Sequence, residues 1–182
     1  MFIQTEPTPN PATLKFLPGR AVMDSGTANF TEAATAKSSP LAESLFALEG
    51  VTGVYLGTDF ITVSKAADLD WLKLKPVVLA AIMDHFTSGR PVMSGLAAPA
   101  DAAEDEDDEV VSQIKELLET RVRPAVAQDG GDIIFHSFED GVVYLTMQGS
   151  CSGCPSSTAT LKAGIENMLR HYIPEVQEVR PV

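Results

Sequence analysis

A run of fourteen residues, LAAPADAAEDEDDE at 96–109, divides this chain more sharply than anything else in it. The run holds seven acidic side chains and no basic one, and after Leu96 it has no large apolar residue. Such a segment cannot bury enough surface to offset the entropy of ordering, so it reads as a linker. As a flexible coil it would span about 20 Å, and self-repulsion would stretch it further. Its last residues, Asp107 to Glu109, lead into a following helix whose positive end favours them. The remaining sequence is then two stretches, 1–95 and 110–182, each the size of one small domain.

The charge balance follows that division. Of the formal −12, the linker contributes −7, residues 1–95 contribute −2 and residues 110–182 contribute −3. No basic patch exists to follow a phosphate backbone, which argues against nucleic acid as a partner. The longest purely apolar run, Val77 to Met83, has seven residues. A spanning helix needs about 20, so no membrane partner is expected. The opening MFIQTEPTPNP has neither the basic–apolar order of a signal peptide nor the Arg-rich pattern of a transit peptide. The expectation is a cytoplasmic protein, or one of the mitochondrial matrix if a presequence has been removed.

Residues 1–95 read as α+β. FIQTE and TPNPATLKFLPG are strand-like runs bounded by Pro and Gly, and residues 24–39, small and polar, read as loop. A short helix is expected from Pro40 to Leu48, closed by Gly50. GVTGVYLGTDFITVSK reads as two strands about a Gly-Thr-Asp turn, and a helix follows over about Asp70 to Thr87. His85 falls in its last turn, where interaction with the negative helix end is the expected role rather than ligation. No catalytic constellation is legible here, and the protein is expected not to be an enzyme.

Residues 110–182 read as helix, strand, strand, cysteine loop, helix. Val110, Val111, Ile114, Leu117, Leu118 and Val122 recur at helical spacing up to Pro124. After the turn AQDGGD, the runs IIFHSF and VVYLTM flank Glu139-Asp140-Gly141, a hairpin signal. Leu161, Ile165, Met168, Leu169 and Tyr172 then share one helical face until Pro174, and a short strand near Val176 to Val179 is expected last. His136 and His171 read as surface residues.

Between the hairpin and the last helix lies GSCSGCPSST, with Cys151 and Cys154, the only cysteines of the chain. Two intervening residues let both sulfurs face one centre. Pro155 suits a first helical turn, and the helix amino terminus beside Cys154 would favour its thiolate. A pair of inert buried thiols is disfavoured, because a turn of this composition is a poor core segment. A thioredoxin-like dithiol expects its CxxC after a strand of a βαβ unit, whereas here an antiparallel hairpin precedes it. Zinc and iron–sulfur clusters want four ligands, and one chain offers two. A twofold axis would bring together two loops and four sulfurs, at an edge from which a cluster is easily given away.

VRPAVAQDGGDI followed by GSCSGCPSSTATLKAGIENMLRHYIPEV resembles the carboxy-terminal domain of the NifU-like (Nfu) iron–sulfur cluster carriers, over essentially all of 110–182. TPNPATLKFLPG resembles the amino-terminal domain that precedes it in bacterial and mitochondrial Nfu proteins. The resemblance implies a 4Fe–4S cluster bridging two subunits, with Cys151 and Cys154 as ligands in each. It also implies a homodimer when loaded, a donor scaffold, and apo iron–sulfur enzymes as recipients. The scaffold and ferredoxin-like domains of the longer NifU proteins are missing, which favours carriage over de novo assembly. The expected organisation is therefore an Nfu-type domain at 1–95 for client recognition, a flexible tether at 96–109, and a cluster-binding domain at 110–182. An aerobically prepared sample without the cluster would not count against this reading. A thiol–disulfide oxidoreductase on the same CxxC is the alternative, and a zinc-bridged dimer is a third reading.

Overall fold

The computed structural model of the chain describes residues 1–94, 109–151 and 155–182. It forms two compact units, Met1–Ala100 and Asp101–Val182, each an α+β arrangement with its own core. The expected linker at 96–109 lies outside the described residues except for Glu109, which opens a helix.

The first unit is a five-stranded antiparallel sheet in the order β1-β2-β5-β4-β3. Its strands are β1 (Gln4–Pro7), β2 (Thr13–Leu17), β3 (Ala28–Phe30), β4 (Val51–Leu56) and β5 (Ile61–Lys65). Helices α1 (Pro40–Phe46) and α2 (Trp71–Thr87) complete the unit. Each helix begins where a side chain takes up an orphan N–H. Ser39 accepts from Ala42 at 3.1 Å before Pro40, and Asp70 accepts from Leu72 at 3.0 Å. Phe16, Leu56 and Ile61 from the sheet join Leu41, Leu45, Val78 and Ile82 from the helices in the core. Residues 24–39 are less irregular than their composition suggests. β3 pairs there with β4, and a 3-10 turn spans Thr35–Ser38, because Phe30 and Ala36 have core to fill.

The second unit opens with α3 (Glu109–Leu117), a π-helical turn over Leu118–Val122, and α4 (Arg123–Gln128). Pro124 was expected to stop this helix. The wider π turn instead relieves the clash of a proline ring with the preceding turn, and Pro124 enters the first turn of α4. β6 (Gly131–Glu139) and β7 (Val142–Gly149) form the expected hairpin. Asp140 and Gly141 both have positive φ, 49° and 80°, as a two-residue type I′ loop demands. His136 is the extra residue of a bulge between the Phe135–Leu145 and Ser137–Tyr144 pairs, so Phe135 and Phe138 both pack on the core.

Helix α5 (Pro155–Tyr172) then crosses over to β8 (Glu178–Pro181), which lies parallel to β7 and completes the order β6-β7-β8. Glu166 of α5 accepts from the Val179 N–H at 3.1 Å and ties the crossover to its strand. The β7–α5–β8 path is a βαβ unit, so the cysteine loop follows a strand of such a unit as well as a hairpin. The topological ground for setting aside a dithiol is thereby removed.

Candidate functional site

The turn that carries Cys151 is closed by its neighbours on three sides. Gly130 and Gly149 take left-handed conformations, φ 78° and 63°, and bring the end of α4 against the end of β7. The Ser150 N–H donates to the Gly130 carbonyl at 3.2 Å, and the Ser150 hydroxyl donates to the Asp129 carbonyl. From α5, the Thr158 hydroxyl donates to the Cys151 carbonyl at 3.2 Å.

Behind this turn stands an ion pair between a buried carboxylate and a half-buried guanidinium. Asp132, 3% exposed, receives two parallel bonds from the Arg123 guanidinium, each 2.9 Å, and also accepts the Ile133 N–H at 2.8 Å. Arg123 reaches Glu119, one helical turn back, at 2.7 Å. The hydrogen bond to Asp132 raises the Arg123 pKa further above its already high value, so this cation is permanent. The arrangement welds α4 to the start of β6. Sequence reading missed it, although an arginine before and an aspartate after the Gly-Gly turn were there to be paired.

Cys151 was expected on an exposed turn. It is 6% exposed and belongs to the buried cluster that includes Ile133, Leu145 and Leu169. Burial pushes its thiol up to about 11; the Ser150 hydrogen bond opposes this, while the charges of Asp129 and Asp132 add to it. A thiol so placed is a poor nucleophile at neutral pH. Cys154, the second candidate ligand, lies outside the described residues. Among the described residues, no three His, Cys, Asp or Glu side chains gather around a possible metal.

His136 and His171 are exposed, as expected. His85 is fully buried, and neither ring nitrogen has a hydrogen-bond partner. Burial lowers its pKa and the Arg90 charge adds to that, against weaker opposition from the Arg90 backbone and Asp84. The lowered pKa favours the neutral ring, which works against the expected charge interaction with the helix end. Among the described residues, no helix is long and apolar enough to cross a membrane.

Residues 3–89 match the family model described as "Scaffold protein Nfu/NifU N terminal", and residues 114–180 match "NifU-like domain". The chain is 55% identical over 183 residues to the human protein named NFU1 iron-sulfur cluster scaffold homolog, mitochondrial. That match covers 100% of this chain and 72% of the human one. NifU-like protein 4, mitochondrial, from Arabidopsis thaliana is 55% identical over 184 residues, covering 98% of this chain and 65% of that protein. Among solved structures, a NifU-like protein from Saccharomyces cerevisiae is 27% identical, with a TM-score of 0.47, 52% of this chain and 85% of that chain being covered.

Proposed function

From the premise that this chain belongs to the Nfu and NifU family of iron–sulfur cluster scaffold proteins, we propose that two copies hold one 4Fe–4S cluster through Cys151 and Cys154 of each and pass it to apo client proteins. What carries the reading is the Cys151–Cys154 pair between β7 and α5 of the unit that matches the NifU-like domain. The cluster is cargo. Four thiolates are its usual complement, and one chain supplies two, so a twofold assembly is the simplest way to complete the set. Loading requires the Cys151 proton to leave, and the buried thiol binds that proton more tightly than a free cysteine.

Residues 1–95 would serve client recognition and 96–109 the tether, holding a loaded domain near a docked client at an effective concentration of order millimolar. The relatives named mitochondrial favour the matrix, the alternative, over the expected cytoplasmic location. The oxidoreductase reading gains from the βαβ setting of the loop. It loses more from the buried, protonated Cys151, since thiol–disulfide exchange needs an accessible thiolate.

Anaerobic reconstitution tests the proposal. Brown protein with about four iron and four sulfide per two chains, shifting from monomer to dimer on gel filtration and back with a chelator, is the expected result. A loaded monomer would refute the shared site. Zinc in colourless dimer, or metal-free protein with disulfide-exchange activity, would favour the other readings.

A further inference from the structure

We propose that Gly131 is a positioning residue for Cys151: having no side chain, it leaves the recess that the Cys151 sulfur occupies and so fixes where that sulfur sits. This rests on the carrier reading for calling the sulfur a ligand. A Cβ on Gly131 would lie 2.4 Å from Cys151 Sγ, 2.9 Å from the Gln148 carbonyl oxygen and 3.1 Å from the Cys151 backbone nitrogen. Unstrained contacts between such atoms need about 3.5 Å or more, so an added methyl displaces something by about 1 Å.

The surroundings decide what gives way. Gln148 is held in the β6–β7 ladder opposite Asp132, and Gly131 itself pairs with Gly149. The Cys151 backbone is fixed by Thr158 on its own carbonyl and by both bonds of Ser150. The sulfur turns on one single bond and so moves furthest, while the Gln148 carbonyl, 2.9 Å from the added carbon, must yield slightly as well. The two glycines of the Asp129–Asp132 turn thus differ in purpose. Gly130 supplies a left-handed backbone, whereas Gly131 is absent from the glycines with positive φ and supplies space.

The experiment uses full-length, reduced, cluster-free protein, and follows iodoacetamide labelling of Cys151 by mass spectrometry. In the wild type, Cys151 should react at least about ten-fold more slowly in native protein than in urea. Gly131→Ala should raise the native rate at least about fivefold. Gly164→Ala, where a Cβ meets nothing within 4 Å, should leave it unchanged. Amide exchange at Leu145 and Leu169 should stay at the wild-type rate in Gly131→Ala; a parallel rise would mean general loosening and overturn the assignment. Equal native and urea rates in the wild type would overturn it even if Gly131→Ala did not fold. After reconstitution, Gly131→Ala should show altered visible circular dichroism of the bound cluster and at least about threefold faster loss to a chelator. A wild-type spectrum and loss rate in the variant would overturn the positioning role. A wild type that takes up no iron sinks the carrier reading, and with it Cys151 as a ligand, whereas labelling rates judge the Gly131 contact separately.

Discussion

Each unit buries a group whose proton binding the fold shifts, and each does so differently. In the first unit it is His85 on α2, wholly enclosed, with two unpartnered ring nitrogens. In the second it is Cys151, in a turn bonded by Ser150 and Thr158 and backed by the Arg123–Asp132 pair. The histidine behaves as core, and nothing around it is organised to use it. The thiol sits where four elements meet and where the backbone is held by side chains from several of them. Burial by itself therefore does not distinguish the proposed ligand from a core residue; the satisfied polar frame beside it does.

The widest separation of the units is expected on loading. Replacing Cys151 or Cys154 by Ser in the full chain should take reconstituted iron from a full complement to none. The unfolding of the first unit, followed by the single tryptophan, Trp71, should not move. Retained iron in either variant would break the comparison. Next is Arg123→Ala, which strands the Asp132 carboxylate in the interior and should cost the second unit about 3 kcal/mol or more. Arg123→Ala with Asp132→Asn should recover part of that loss, and Trp71 should again report no change.

Alkali comes third. The Cys151 thiol is raised in the fold, so its contribution is intact below the unfolded pKa of about 8.5 and is lost as pH climbs through about 11. The second unit should lose up to about 3 kcal/mol over that window, and Cys151→Ala should abolish the dependence. The smallest effect is expected from acid on the first unit. His85 is lowered in the fold, so the unfolded chain binds the extra proton first and stability falls as pH drops below about 6.5. Urea midpoints by Trp71 fluorescence at pH 7.5 and pH 5.5 should show it, and His85→Leu should flatten it.

The features legible in the sequence are those written in local chemistry. Asp140-Gly141 requires a tight hairpin wherever it sits between apolar runs, and α5 follows from the spacing of Leu161, Ile165, Met168 and Leu169. The bulge at His136 left no such mark, because one inserted residue changes neither composition nor run length. The continuation of the helix through Pro124 depends on a π turn that no residue type announces. Cys151 lies in a stretch of Gly and Ser that reads as exposed turn; Gly131 and α5, both distant in sequence or outside the turn, bury it. His85 could have been found, since Leu74, Val78, Ile82 and His85 fall on one helical stripe.

The parallel pairing of β8 with β7 sets a timetable for the newborn chain. Val179 is fully buried and pairs with Val143, so the sheet stays open on that side until residues well beyond the cysteines exist. At about 5–20 residues per second, the ribosome needs about 2–6 s to add residues 152–181 after Cys151. During that interval the first unit has all its strands available to pair, while the Cys151 thiol of the second lacks a completed sheet. The second unit therefore closes only after its last strand has been made, later than the first.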